Sequence, residues 1–202
     1  MNNKKDESNL TKMHIVDTAI DLFRQRGYYN VSVTDICKAS KISRSTFYYY
    51  FKSKDEIFDS FLLKPELIIF DKLPSILINS SSYIEQFYQI FETFLKEMME
   101  TGPEIFGQVL KRNIDNGDLK ILVPYQITMW DIYINLIKKA QEAGEINNPN
   151  PPEEIVEAIT YITVGISVIW CNKNGSFDLI AKNRQILEAL LLVKDELKAK
   201  LN

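Results

Sequence analysis

The sequence is short of the residues that most enzymes and secreted scaffolds depend on: one histidine, two cysteines and seven glycines in 202 residues. A zinc-protease helix needs two histidines and a Cys/His zinc site about four ligands, so His14, Cys37 and Cys171 point to no metal site. Two cysteines make no disulfide framework and suit a reducing, cytoplasmic setting. The glycines, at 27, 102, 107, 117, 144, 165 and 175, never cluster, which excludes the phosphate-cradling loops of nucleotide-binding folds and argues against a turn-rich all-β chain. Residues 1–10 are polar and charged, without the apolar run of a secretion signal. The longest charge-free stretch, residues 158–172, contains Thr, Gly, Ser and Asn and falls short of the roughly 20 apolar residues of a membrane span. No nucleophile–base–orienter set stands out either, so neither an enzyme nor a cofactor is expected.

What is present reads as globular: hydrophobic residues make up 46% and charged residues 25% of a chain long enough for one large domain or two small ones. The net charge of −3 is unevenly spread. Residues 1–64 carry 11 Lys and Arg against 8 Asp and Glu, the rest 13 against 19. A basic head on an acidic body suits contact with a polyanion.

Helical periodicity runs through the chain, giving about nine helices and no convincing strand alternation. The first is expected over 11–26, with Ile15, Ala19, Leu22 and Phe23 inward and Gly27 as its stop. Ser32 caps a short helix over 33–39 and Ser43 another over 44–50. A Ser53–Glu56 capping box opens a helix to about 71 that Pro65 kinks or breaks, and residues 73–82 read as a loop. A second box, Ser82 to Glu85, opens a helix that Gly102-Pro103 stops, and a short helix follows over 103–113. Asn116-Gly117-Asp118 is a turn before a helix over 122–143. The proline-rich stretch 147–152 is a linker, and helices over 153–173 and, capped by Ser176, to about 199 complete the chain.

Function is concentrated in residues 32–51, SVTDICKASKISRSTFYYYF. Two helices too short to stand alone are joined by about four residues, with Ile36, Ala39, Ile42 and Phe47 expected to face inward, the helix-turn-helix pattern. The second helix opens with Arg44, Ser45 and Thr46, donors and small hydroxyls suited to base edges and phosphates. Tyr48, Tyr49, Lys52 and Lys54 follow as further DNA contacts, with Ser32, Thr34, Lys41 and Ser43 at or beside the helix starts, where anions are favoured. Cys37 is expected as a small core residue between the two helices.

These segments resemble the tetracycline-repressor (TetR) family of bacterial transcription regulators. The resemblance rests on Ile15, Ala19, Leu22-Phe23 and Gly27-Tyr28, then Val33-Thr34-Asp35-Ile36, Ser43-Arg44-Ser45-Thr46-Phe47-Tyr48 and Tyr50-Phe51-Lys52-Ser53-Lys54. It implies an all-α protein with a three-helix DNA-binding head, residues 10–60, and a larger ligand-binding and dimerisation body, residues 61–202. Two departures are Lys41, where the family usually has a turn glycine, and Cys37, usually alanine. The resemblance also implies a pocket in the body. Among Phe87, Phe91, Phe94, Phe106, Tyr125, Trp130, Tyr133, Tyr161 and Trp170, its lining is expected from Phe91, Phe94, Phe106, Trp130, Tyr133 and Trp170. Few charges share those faces, so the expected effector is small and mostly apolar or aromatic.

The last two helices carry apolar residues on more than one face and so need partners on both sides. Ile159, Ile162 and Ile166 on one, and Leu179, Ile186, Leu190, Val193 and Leu197 at near-heptad spacing on the other, suit a four-helix seam between two subunits. The expected function is a homodimeric, ligand-responsive regulator, in the first instance a repressor, on a palindromic double-stranded DNA operator, with no membrane partner. Two alternatives are a regulator or activator whose body binds a protein, and a helical enzyme with a vestigial motif.

Overall fold

The computed structural model describes residues 2–61, 63–115 and 127–198. The expected turn at 116–118, the start of the helix expected at 122, Tyr125 and residues beyond 198 lie outside them. Ten α-helices build the described chain: α1 Asn2–Arg26, α2 Val33–Ala39, α3 Arg44–Tyr50, α4 Glu56–Phe61, α5 Leu63–Asn79, α6 Tyr83–Glu100, α7 Pro103–Asp115, α8 Ile127–Glu142, α9 Pro152–Asn172 and α10 Leu179–Leu191. The fold is all-α, as expected, and no strand forms among the described residues.

The head is held by local sequence. α1 buries Ile15, Val16, Ala19, Ile20, Leu22 and Phe23, and begins at Asn2, nine residues before the apolar period that marked its expected start. The Ser32 hydroxyl accepts the Asp35 N–H while the Asp35 carboxylate accepts the Ser32 N–H, a capping box at the start of α2. α2 ends in a Schellman motif: the Ile42 N–H donates to Cys37 O and the Lys41 N–H to Lys38 O. That geometry places Lys41 at φ 55, the conformation the family's glycine adopts without strain. The inward face of α2 is Ile36 and Cys37, whereas Ala39 is exposed, a one-residue correction to the expected face.

Between head and body, α4 ends at Phe61 and α5 begins at Leu63, so the break precedes Pro65. The Ser53–Glu56 box takes another form: Glu56 reaches past Ser53 to accept the Lys52 N–H at 2.6 Å, and α4 starts at Glu56 itself. The loop expected over 73–82 is mostly helix. α5 continues through Pro74 to Asn79 because Ile69 and Ile76 are buried and Leu73 is half-buried on one face against α6, while Pro74 sits on the exposed side. One missing N–H is a smaller loss than exposing that stripe.

In the body, α6 packs against α5, α8 and α10, and α9 against α7, α8 and α10. Ser82 caps α6, but Glu85 closes back on Ser81 rather than Ser82. A second cap comes from far along the chain: the Glu145 carboxylate accepts the N–H groups of Tyr83 and Ile84 at 3.2 and 2.8 Å. α10 is capped by Asp178, not Ser176, and stops at Leu191, well short of 199. Its end carbonyls are taken by the 145–150 segment: Asn147 and Asn148 N–H donate to Leu191 O, and Asn148 Nδ2 to Leu190 O. Leu192 then turns at φ 52 and Val193 forms an isolated bridge with Ile146. α9 is long and apolar enough by length and composition to cross a membrane, yet Ile155, Val156, Ile159 and Ile166 are buried in the helical core.

Candidate nucleic-acid interface

α3 stands on a buried base. Phe47 and Phe51 are 0% and 1% exposed, with ring centroids 5.6 Å apart. The Ser43 hydroxyl accepts the Thr46 N–H at 3.0 Å and lies 2.7 and 2.8 Å from the Ser45 and Thr46 hydroxyls, fixing the first turn. With its base buried and its start capped, α3 presents Arg44, Ser45, Tyr48 and Tyr49 outward, Tyr49 being 77% exposed. Ser32, Thr34, Lys41, Ser43 and Lys52 are exposed around it and Thr46 is half-buried. These side chains are therefore open to solvent, on and beside two short helices that are each capped at the start.

Lys54 is different. Its ammonium donates to Tyr28 O and Val31 O, both at 2.8 Å, and lies 3.9 Å from the centre of the Tyr28 ring. Burial pulls its pKa below the usual lysine range. Two of its three donors are engaged inside the head, so Lys54 braces it from within, and its third N–H has no bearing on that brace.

Tyr28, which sequence reasoning valued only as part of a motif, is the hub of the junction with the body. Its hydroxyl donates to Asp55, its ring meets Phe23 edge-on and Phe58 tilted, and its N–H donates to Glu104 Oε1 at 2.8 Å. Burial, and then the Asp55 carboxylate, push its hydroxyl pKa well up. Glu104 opens a polar stripe on α7. Gln108 donates to the Tyr29 hydroxyl at 3.1 Å, and Arg112 forms a fork on Asp59 at 2.7 and 2.6 Å. Positions 104, 108 and 112 recur at helical spacing, a signal the sequence held. Gly27 makes the approach workable: its φ is +80, and a Cβ there would sit 3.3 Å from Glu104 Oε1. A polar cleft of about 210 Å³ lies alongside, lined by Tyr28, Tyr29, Asp55, Gln108 and Arg112 among others. On its far side α7 meets α9, through Phe106 on Trp170, centroids 6.1 Å apart, and Gly107 beside Cys171.

The expected pocket residues fall into groups. Phe106 and Trp170 touch, while Phe91 and Tyr133 both flank Phe87 at 5.7 and 5.5 Å. Phe94 and Trp130 are half-buried against the same core. The expected subunit seam is corrected in part. Leu179, Val193 and Ile159 are 0%, 3% and 3% exposed in the protomer's own core, because α10 ends early and its 179, 183, 187 and 191 face turns inward. Leu197 lies in a short 3-10 turn beyond α10. Ile162, Ile186 and Leu190 remain half-buried. Ile166 and Ile186, with Ile169, Phe177 and Ala181, line an apolar surface groove of about 590 Å³ between α9 and α10, whose polar lining is Lys173, Asp178, Lys182 and Gln185. Ile169, on the same apolar stripe of α9 as Ile162 and Ile166, is 50% exposed. Burial pushes the Cys37 thiol up and the Cys171 thiol up to about 11.

Residues 15–61 match the family model of bacterial regulatory proteins of the tetR family. The HTH-type transcriptional regulator AcrR of Shigella flexneri is 39% identical over 54 residues, 27% of this chain and 25% of that protein. The biofilm operon icaADBC HTH-type negative transcriptional regulator IcaR of Staphylococcus aureus (strain Newman) is 33% identical over 102 residues, 48% of this chain and 53% of that one. The chain thus spans between a quarter and about half the length of these curated relatives in alignment. The crystal structure of Thermus thermophilus FadR, a TetR-family transcriptional repressor in complex with lauroyl-CoA, shares the fold at TM-score 0.65 and 19% identity, over 95% of this chain and 98% of that one. A three-helix head with this match stands on an all-α body that shares the fold of the neighbour. The likeness to the tetR family lies in residues 15–61, and the chain as a whole shares the fold of the T. thermophilus neighbour.

Proposed function

We propose that this protein is a cytoplasmic transcription regulator, a repressor, that binds a palindromic operator as a homodimer and releases it on taking a small effector into the body. The carrying observation is the capped α3, with Phe47 fully buried beneath and Arg44, Ser45, Tyr48 and Tyr49 outward, inside the segment that matches the family. Arg44 reads a base edge. Ser45 and Thr46, with Tyr48, Tyr49, Lys41, Lys52 and the α2 start at Ser32 and Thr34, hold the backbone, and Ser43 sets the first turn. The head, residues 10–60, and the body, residues 61–202, divide these roles. The α9–α10 groove supports self-association, since a solvent-facing apolar groove on two long helices suits an isologous four-helix contact. The lauroyl-CoA in the T. thermophilus neighbour supports an effector with apolar character, lodged among Phe91, Phe94, Phe106, Trp130, Tyr133 and Trp170.

The test is titration of DNA upstream of the protein's own gene at several salt concentrations. Wild type binds with a strong salt dependence. Arg44→Ala weakens the specific complex by about 1–3 kcal/mol, the worth of a bidentate base contact, and Lys52→Ala lowers the salt slope by about one unit. Unchanged affinity in Arg44→Ala removes α3 as the reader.

A further inference from the structure

Four helical and helix-end hydroxyls turn back on the carbonyl four residues earlier. Thr18 donates to His14 O, Ser80 to Ile76 O, Thr93 to Gln89 O and Thr160 to Val156 O, all within 2.7–2.9 Å. This is the ordinary refuge of a hydroxyl four residues along a helix. Thr163 and Ser167 of α9 break the pattern. Both are 0% exposed, and neither hydroxyl has a hydrogen-bond partner among the described residues. The other unpaired buried side-chain atoms, Ser40 Oγ, Tyr88 Oη and Asn183 Oδ1, each stand alone on their element. Thr163 and Ser167 are one turn apart, where Cβ atoms lie about 5–6 Å from each other, close enough for one oxygen to serve both hydroxyls.

An unpaired buried hydroxyl has given up its water without a replacement, so each calls for an occupant or a reason. The surroundings say what occupant fits. The buried face of α9 carries Ile159, Ile166 and Trp170 around the pair, and Trp170 meets Phe106. The indole N–H is already spent on Phe177 O. Over residues 155–170 the only charged residue is Glu157, which is exposed. A carboxylate would find no cation on this face, and a hydrocarbon would leave both hydroxyls unpaired.

We infer that Thr163 and Ser167 are the polar anchor of the body's effector site, and that the effector is a neutral, largely apolar molecule presenting a carbonyl or hydroxyl oxygen to this pair. The inference rests on the body being an effector domain. The experiment follows the thermal midpoint of the full chain with acetophenone, ethylbenzene or benzoate added, for wild type, Thr163→Val/Ser167→Ala, Ser167→Ala alone and Thr163→Ser. Without additive, the double variant melts about 2–4 °C higher, because unpaired buried polar groups are gone. Acetophenone raises the wild-type midpoint with concentration and more than its hydrocarbon or anionic counterpart. That preference is lost in the double variant, weakened in Ser167→Ala and kept in Thr163→Ser. A lower midpoint for the double variant, equal shifts with acetophenone and ethylbenzene, a preference that survives in the double variant, or a midpoint no additive moves each overturns the anchor. Binding to the upstream DNA is measured on the same samples. If it stands while the preference fails, only the anchor falls, and if wild type binds no DNA the regulatory reading falls by itself.

Discussion

Two lysines that look alike in sequence have opposite structural roles. Lys41 is exposed and holds φ 55 in the turn between α2 and α3, a conformation that costs an L-residue about 1–2 kcal/mol. Lys41→Gly therefore raises stability by about 1 kcal/mol in denaturant unfolding while removing a charge beside the proposed DNA contacts, so affinity for DNA is expected to fall as stability rises. An unchanged or lower stability would show that the Lys41 side chain compensates its own strain. Lys54 instead ties the carbonyls of Tyr28 and Val31. Lys54→Met keeps the stem and removes the ties, so the head loses about 1–3 kcal/mol, as expected for bonds from a charged donor. Had Lys54 been a phosphate contact, the same variant would leave stability alone and lower the salt slope by about one unit.

At the scale of elements, α7 does most to join the two halves. Its stripe of Glu104, Gln108 and Arg112 holds Tyr28, Tyr29 and Asp59, while Phe106 and Gly107 face α9. Glu104→Ala with Arg112→Ala should speed amide exchange at Tyr28 and through α4 without altering α8 or α9, since only the polar stripe is removed. The Arg112–Asp59 pair is partly exposed and contributes at most about 1 kcal/mol, so global stability changes little. Unaltered exchange at Tyr28 would mean that the apolar contacts of its ring hold the junction unaided. The same elements show why some of the chain was legible and some was not. The ends of α2 and α3 follow from Ser32, Ser43 and residues three positions away, so the sequence reading and the structure agree there. The end of α10 is decided by Asn147 and Asn148, more than forty residues earlier in the chain, and the start of α6 gains Glu145. Pro74 is a local breaker outweighed by burial of Ile69 and Ile76. The exposed set on α3 was legible because exposure on a capped helix follows from periodicity. The internal bonds of Lys54 were not legible because its partners lie 23 and 26 residues away.

At the scale of the whole molecule, the proposed subunit contact is the exposed apolar groove between α9 and α10. Ile169 projects beside Ile166, Phe177 and Ile186 and is half exposed, so changing it spares the protomer's core. Ile169→Lys sets a third cation near Lys173 and Lys182 and would bury an unpaired charge if the face were covered. Wild type is expected to sediment as a dimer at micromolar concentration and Ile169→Lys as a folded monomer with an unchanged circular dichroism spectrum. Joining two heads turns the second half-site contact into an intramolecular event, which raises overall affinity by about 10²–10⁴-fold when the spacing fits. The monomeric variant should therefore lose that factor on a full operator and nothing on a DNA fragment containing one half-site, because α3 and its caps are untouched. A variant that remains dimeric moves the subunit contact off this groove. A monomer that keeps full operator affinity would show that one head suffices, and the palindrome reading would go with it.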